Sequence, residues 1–393
     1  MKHADIYKIH AAGLITTDQR DGIIEHFKLK EDTNRFLTIV SFVGAVLVAC
    51  GVILLIASNW DVIPRGVKII SSLALMLGAH AGGFYLREIT GKYPMTGEAL
   101  YLVGAGLFLG NIALVGQIYH LSARPPNAIL LWWGGIALLP FLLRSKALHL
   151  LSLLAFALWF GMEINESGSP IYFGENEYQI LLYSLLGLLY LGFGHALRQT
   201  AYDNFAASTE KLGLLGFLTF AYPLTWSALH QSSWQRGEIC WWILPAMACL
   251  ALALVAYGMF RARDLSRQWR WTWGLALGGC IALILGEFYA GSTVFARVGR
   301  PIDSYYHWLC AVGLFVFALL QVQVGVQRRS GFMVNLGVAF LALDIIACYL
   351  NLFGSMAHTG LVFLFGGFFL IGLGVYLEKK RRTLVQQMRT TSA

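Results

Sequence analysis

Residues 98–133 read EALYLVGAGLFLGNIALVGQIYHLSARPPNAILLWW, and this stretch decides the fold. From Glu98 to Ile118 the side chains are almost all apolar. A helix of about 20 residues crosses the hydrocarbon of a bilayer. The stretch therefore predicts a helix that spans a membrane, and it excludes an ordinary helix of a soluble core.

Polar side chains gather at the end of this span. Gln117 and His120 are three residues apart, so they share one face of a helix. Tyr119 lies beside them, and Arg124 follows in a short loop with two prolines. A polar group at membrane depth needs a protein partner or water. We therefore expect this end of the span to be a candidate site for a substrate or an ion.

The composition agrees with a chain that spans the membrane many times. Hydrophobic residues make up 57% of the 393, and charged residues make up 13%, which is about half the charged share of a soluble domain. The mean hydropathy is +0.63. These values predict an all-α polytopic membrane protein.

The first 35 residues differ from the rest. They mix acidic and basic side chains and lack the apolar region of a secretory signal. Thr16 and Gln19 stand at the spacing of a capping box, in which each side chain binds the other residue's backbone N–H. We expect residues 1–35 to form a cytosolic helical segment.

Twelve apolar segments follow, with ten or eleven spans as the alternatives because the fourth and fifth are short and closely joined. We group them as transmembrane regions 36–155 and 156–377, followed by a basic cytosolic tail, 378–393. Pro140, Pro223 and Pro245 are expected to interrupt or kink spans. The predicted spans are 36–58, 66–87, 98–120, 128–143, 146–162, 178–197, 212–230, 239–260, 271–290, 304–326, 331–350 and 358–377.

Basic residues set the predicted orientation, because cytoplasmic loops are enriched in lysine and arginine. With twelve spans, 23 of the 29 basic residues fall on the side that holds both termini. This asymmetry predicts that both termini are cytoplasmic. The formal charge of +8 then reflects membrane topology, so we expect no nucleic-acid partner.

Three acidic residues lie inside or at the ends of predicted outward-running spans: Glu163, Glu287 and Asp344. A charged residue at the bilayer centre costs about 2.5–3.5 kcal/mol on insertion scales, so we expect these carboxylates to face the helix bundle or an outward-facing polar cavity. The nearby cations are Arg65, Arg124, Arg297 and Arg300. The alternative is that the acids are solvated at the headgroup level, above all Glu163.

Histidines offer no metal motif. We interpret His80, His149 and His195, toward the inner half of the membrane, as packed or snorkelling residues and not as ligands, whereas His120 shares its face with Gln117. The spacings resemble no HExxH or paired-carboxylate pattern. The sequence predicts neither a metal nor a cofactor.

Glycine patterns suggest two further features. The GxxxG pairs Gly106/Gly110 and Gly78/Gly82 predict close helix contacts. The third span ends in 116-GQIY and the ninth in 286-GEFY. This echo suggests a parallel repeat of six plus six helices, an arrangement found in secondary transporters.

Several motifs in the first part of the chain resemble a known family. They are Leu14-Ile15-Thr16, Ser58-Asn59-Trp60-Asp61 with Pro64, Tyr93-Pro94, Gly97-Glu98-Ala99-Leu100, Gly116-Gln117-Ile118-Tyr119-His120-Leu121 and Trp132. Together they resemble the bacterial membrane proteins grouped as domain of unknown function 2157 (DUF2157), over residues of about 10–155.

The resemblance implies a bacterial inner-membrane protein and brings no established substrate, reaction or cofactor. It also implies that six motif residues belong together, and the predicted topology places them at the outer face with Arg65 and Glu163 in support. The six are Asn59, Trp60, Asp61, Gln117, Tyr119 and His120.

Our leading interpretation is a transporter or flippase-like carrier that contacts membrane lipid and moves a small-molecule or lipid-linked solute. In this hypothesis Glu287 and Asp344 titrate or bind a cation, and Gln117, His120 and Arg124 contact the solute. The first alternative is an envelope enzyme that acts on lipid-linked substrates, although the outward loops are short. The second is a non-catalytic assembly or sensing subunit. The sequence leaves the oligomeric state open.

Overall fold

We analysed a computed structural model of the protein. It describes residues 10, 12–26, 60–173, 179–198, 200–226, 242–261, 266–290 and 303–353, and a few positions between 367 and 379. The chain divides into two compact units, Met1–Ser71 and Ser72–Ala393. Every regular element within the described ranges is helical, with no β-strand among them. The all-α prediction is therefore confirmed for this part of the chain.

The capping box predicted in the first unit is present. Helix α1 covers Thr17–His26. The backbone N–H of Thr16 donates to Gln19 Oε1 at 3.0 Å, and the N–H of Gln19 donates to Thr16 Oγ1 at 3.4 Å. These reciprocal bonds satisfy two N–H groups that would otherwise be unpaired at a helix start. Further along this unit, a 3₁₀ turn covers Trp60–Val62.

Eleven further α-helices follow in the described residues. Helix α2 contains the boundary between the units and continues into a π-helical turn, Tyr85–Ile89. A 3₁₀ turn, Tyr222–Thr225, follows α8. The helices are α2 Arg65–Phe84, α3 Pro94–Ile118, α4 Pro125–Ile136, α5 Leu139–Leu143, α6 Lys146–Asn165, α7 Gln179–Leu197, α8 Asp203–Ala221, α9 Ile243–Arg261, α10 Arg267–Ala290, α11 Asp303–Gln327 and α12 Gly331–Phe353.

Eight stretches of the described chain are long and apolar enough to cross a membrane. Seven lie on α2, α3, α6, α7, α9, α11 and α12, and the eighth, Pro125–Leu143, combines α4 with α5. The chain is therefore a membrane protein with several apolar helices. The first predicted span and most of the twelfth lie outside the described residues, so the count of twelve stays a prediction.

The predicted seventh span, residues 212–230, has the wrong bounds. Helix α8 begins nine residues earlier, at Asp203, and ends at Ala221. The prediction placed Glu210 and Lys211 in a loop because they are charged. In the fold the Glu210 side chain is buried and paired, so its charge does not end the helix.

The predicted fourth span is a broken helix. Helix α4 ends at Ile136, and α5 begins at Leu139 with Pro140 in its first turn. Proline removes a backbone N–H and disfavours helical backbone in the residue before it, so the interruption is expected. Pro223 likewise falls where α8 gives way to the 3₁₀ turn. Pro245 lies in the first turn of α9 and causes no break.

Helix α7 lies at the centre of the second unit. About two thirds of the residues in its most apolar stretch are buried, the largest share among the candidate spans. It packs against α8, α9 and α10, and the Tyr190 hydroxyl donates to the Leu153 carbonyl of α6 at 2.6 Å. The main hydrophobic core extends from α6 to α12, and a smaller core joins α3, α4 and α6.

Two glycines bring α7 and α8 into backbone contact. A β-carbon at Gly187 would collide with the backbone N of Phe217, and one at Gly213 would collide with the backbone of Leu191. Among the described residues, the predicted GxxxG pairs make no comparably close helix contact. A β-carbon at Gly78, Gly106 or Gly110 would meet no described neighbour within 4 Å, and one at Gly82 would meet only the Leu100 side chain at 3.4 Å.

The α7–α8 crossing predicts opposite effects for two neighbouring glycines. We expect Gly213→Ala to lower the melting temperature of the purified protein, because the added methyl group must push two backbones apart. The matched control is Gly216→Ala on the same helix, where a β-carbon lies at an ordinary 3.7 Å from Gly187 Cα. Alanine favours helix over glycine by about 1 kcal/mol, so this control should melt at or above the wild-type temperature. If the Gly213→Ala protein were as stable as the control, the close backbone contact between α7 and α8 would be contradicted.

Candidate functional site

The predicted site begins where α3 ends, and the backbone there explains His120. The N–H of Leu121 donates to the Gly116 carbonyl at 2.9 Å, and the N–H of His120 donates to the Gln117 carbonyl at 3.4 Å. His120 has a φ of 51°. This is a Schellman motif with histidine in the left-handed position that glycine usually occupies. His120 therefore ends the helix, whatever else its ring does.

The side chains of Gln117, Tyr119 and His120 are exposed. Within the described residues, no hydrogen bond or ion pair joins any of the three to Arg124 or to another side chain. They form an accessible polar edge next to the loop, with no closed cluster around them.

Arg124 and Glu163, two residues of the predicted outer cluster, do come together. Arg124 is the residue before Pro125 at the start of α4, and Glu163 is near the end of α6. Arg124 Nη2 lies 3.0 Å from Glu163 Oε1, which also accepts a 2.6 Å hydrogen bond from the Ser169 hydroxyl. Arg124 Nε lies 3.6 Å from a carboxylate oxygen of Glu166. Glu163 is therefore a buried, paired carboxylate and does not lie solvated among headgroups.

Asp344 differs from Glu163, because no basic side chain is paired with it among the described residues. It is 13 residues into α12, about 20 Å along the helix axis, and only 1% of the residue is exposed. Its Oδ1 has no hydrogen-bond partner among the described residues. Tyr222 and Cys348 are close enough to interact with it electrostatically, and neither is a cation.

The remaining predicted residues lie in the first unit or have side chains outside the described residues. Glu287 is on α10, three residues before its end, but its side chain, that of Asp61 and all of Asn59 lie outside the described residues. Trp60 and Arg65 belong to the first unit, where Lys68 Nζ lies 4.2 Å from the centre of the Trp60 ring. The grouping of these residues with Gln117 stays a prediction.

Sequence analysis missed Glu210 on α8, a carboxylate with several charged and polar partners among the described residues. It is 2% exposed and accepts from two arginines and a histidine. Its Oε1 lies 2.7 Å from His195 Nδ1 and 2.6 Å from Arg198 Nε. Its Oε2 accepts from Arg198 Nη2 at 2.6 Å and from Arg328 Nη1 at 3.2 Å. The two Arg198 bonds form the bidentate fork typical of strong arginine–carboxylate pairs.

The hydrogen bonds of His195 define its protonation state. Trp273 Nε1 lies 3.1 Å from His195 Nε2. An indole N–H can only donate, so Nε2 is an acceptor and carries no proton. The remaining ring proton is on Nδ1 and is donated to Glu210. His195 is therefore neutral, and the expectation of a packed histidine holds with a specific partner on each ring nitrogen.

We name Glu210, His195, Arg198, Arg328 and Trp273 the Glu210 network. It joins α7, α8 and α10 to the residue that follows α11. Glycines make room for it, because a β-carbon at Gly194 would lie 2.6 Å from Glu210 Cγ and one at Gly258 would collide with His195 Cβ.

A second buried pair lies beside the network. His149 Nε2 of α6 lies 2.7 Å from Oγ1 of Thr209, the residue before Glu210. One sequence signal could have revealed this face of α8. Ala206, Glu210, Gly213 and Phe217 recur at helical spacing, which puts Glu210 on the same buried stripe as the crossing glycine.

The network predicts a large loss of stability for a small change. Glu210→Gln should destabilise the protein by about 3–5 kcal/mol, because it leaves two largely buried arginines without their carboxylate. The matched control is Glu166→Gln, whose carboxylate is one third exposed and lies 3.6 Å from Arg124. An exposed pair contributes at most about 1 kcal/mol. Thermal or denaturant unfolding of the detergent-solubilised variants measures both effects, and equal small losses would count against the network.

Comparison with known proteins gives one match. Residues 8–149 match the model of a family described as "Predicted membrane protein (DUF2157)". No curated protein and no solved structure matches the chain. The matched region includes α1 to α5 and the start of α6, whereas His195, Glu210 and Asp344 lie beyond it. The resemblance read from the sequence is thus confirmed: over residues 8–149 this chain is similar to the DUF2157 family of predicted membrane proteins.

Proposed function

We propose that the protein is a carrier of the bacterial inner membrane that couples solute movement to protons, with Asp344 as the proton-binding residue. The observation that carries the proposal is the burial of this carboxyl group on an apolar spanning helix with a hydrogen-bonding oxygen left unused.

The physical reason is the cost of an unpaired charge. A carboxylate moved from water into an apolar interior loses its hydration and is stable there only with a cation or as the neutral acid. Among the described residues, the groups that interact with Asp344 are a phenol, Tyr222, and a thiol, Cys348. Neither supplies a positive charge. Asp344 therefore needs a proton or a bound cation while it is buried, and it can release that ion when it meets water.

The other buried carboxylates of the described chain behave differently. Glu163 has Arg124 at 3.0 Å, and Glu210 has Arg198 at 2.6 Å and Arg328 at 3.2 Å. Arginine remains charged at every physiological pH, so both carboxylates are held in their ionised form by permanent partners. They are suited to holding helices together. Asp344 is suited to exchanging an ion.

The solute in this proposal is a small-molecule or lipid-linked compound that first meets the exposed edge of Gln117, Tyr119 and His120 beside Arg124. The accessibility of these side chains supports that role. Glu287 is a second candidate for ion binding. The basic-residue asymmetry supports an orientation with both termini in the cytoplasm and this edge on the outer side.

Infrared spectroscopy tests the proton site. We expect the wild-type protein to show the carbonyl band of a protonated carboxyl group in an apolar setting, and to lose it as the pH is raised. Asp344→Asn should lack this band, whereas Glu88→Gln, which alters an exposed carboxylate, should retain it. The same band in Asp344→Asn would assign the proton elsewhere and refute the site.

Proteoliposomes with a trapped pH-sensitive dye test the carrier itself. Pools of amino acids, sugars and organic acids are added outside, and the lumenal pH is followed. At least one pool should acidify the lumen through the wild-type protein, and Asp344→Asn should reduce that signal to the level of empty liposomes. Asp344→Glu, which restores a carboxyl group, should recover part of it. Full acidification through Asp344→Asn would contradict proton coupling at this residue.

A further inference from the structure

A groove between α9 and α10 is not used by the proposed carrier mechanism. Its volume is about 390 Å³, within the range of about 300–1,000 Å³ common for small-molecule sites. Apolar side chains make up most of its lining, and three of them are largely exposed: Phe260 (75%), Trp271 (58%) and Leu275 (72%). Phe260 is the last residue of its candidate span, so the groove lies where a span ends.

Two arginines line the same groove, Arg267 and Arg270. Both are in the first turn of α10, three residues apart. No acidic residue is among the residues that line the groove. Arg270 Nε is buried and hydrogen-bonds to no described residue. A buried donor with no partner among the described residues, beside a second arginine in the same groove, favours an anionic ligand.

The start of α10 adds to this preference. The Ser266 hydroxyl accepts from the N–H of Trp269 at 3.4 Å, and the Ser266 carbonyl accepts from the N–H of Arg270 at 3.0 Å. The helix therefore begins at this groove with its positive dipole end. Helix N-termini bind phosphate groups well. Together, the charge and the apolar lining suit a ligand with an anionic group such as a phosphate at one end and hydrocarbon at the other.

We propose that this groove binds an anionic phospholipid, with its phosphate on Arg267 and Arg270 and an acyl chain along the apolar lining. Trp271 then lies at the headgroup level, where tryptophan is enriched in membrane proteins. The arginines are on the side predicted to be cytoplasmic, and that leaflet carries the anionic lipid. The proposal stands independently of transport, because it uses no residue of the carrier mechanism.

Native mass spectrometry of the full-length protein in a neutral detergent tests the site. Phosphatidylglycerol and phosphatidylcholine are titrated against the wild-type protein, an Arg267→Gln/Arg270→Gln variant and a Gly274→Phe variant. A Gly274 β-carbon would lie only 3.6 Å from Met259 Cγ, so phenylalanine there fills the groove while both arginines stay. The control is Arg65→Gln/Lys68→Gln, which removes two basic residues at the same positions of α2. A melting temperature for each variant verifies that it is folded.

We expect the wild-type protein and the α2 control to prefer phosphatidylglycerol by about tenfold, the effect of one strong charge-assisted contact. The double arginine variant should lose this preference, and Gly274→Phe should lose binding of both lipids. Inorganic phosphate alone should not compete. An unchanged preference in the double arginine variant would overturn the proposal. Competition by free phosphate, or full binding by Gly274→Phe, would instead assign a headgroup-only site and overturn the acyl-chain groove.

Discussion

The carboxylate of Glu210 is the constraint on which the packing of the second unit depends. It is buried at 2% exposure among helices that are otherwise apolar, and it would be unstable there without Arg198, Arg328 and His195. These partners come from two separate parts of the chain, His195 and Arg198 at the end of α7 and Arg328 just after α11. To satisfy one charge, the C-terminal ends of α7 and α11 must therefore meet α8 near its middle. The close α7–α8 approach at Gly187 and Gly213 holds the carboxylate at that depth.

The contrast between Glu210 and Asp344 links the fold to function. Both are buried acidic residues on helices of the same unit, and they differ in what surrounds them. Glu210 has two permanent cations and a neutral histidine with a fixed tautomer, so its charge is constant and its role is to hold helices together. Within the described part of the chain, Asp344 interacts with a phenol and a thiol, and its Oδ1 has no hydrogen-bond partner. A group in that setting is suited to the exchange of a proton or a cation that we propose for Asp344.

Much of the fold could be predicted from the sequence, because a bilayer demands long apolar helices and the chain supplies them. The α3, α6, α7 and α11 helices lie within a few residues of their predicted bounds, and the capping box at Thr16 is present. The prediction failed where a charge is satisfied inside the protein. Hydropathy treats Glu210 as the mark of a loop, since it cannot register an arginine that lies 118 residues away. It also cannot tell which glycines face a neighbouring helix, and the α7–α8 crossing uses Gly187 and Gly213, which belong to neither GxxxG pair.

The predictions about the site likewise agree with the structure in part. Arg124 and Glu163 are joined by an ion pair, and the burial of Asp344 agrees with its apolar flanks. The structure gives His120 a role that the sequence did not predict. Its spacing from Gln117 does not reveal that its left-handed backbone ends α3. Arg144 and Arg329 also end helices with positive φ. Three basic residues thus occupy positions that a reader of the sequence would assign to glycine or asparagine.

A double-mutant cycle between Glu210 and Arg328 tests the central claim most directly. Unfolding free energies would be measured for the wild-type protein, Glu210→Gln, Arg328→Gln and the double variant under one set of conditions. If the carboxylate holds the end of α11 against α8, the two losses overlap and the coupling free energy exceeds about 1 kcal/mol. Losses that add within about 0.5 kcal/mol would show independent sites and contradict the account.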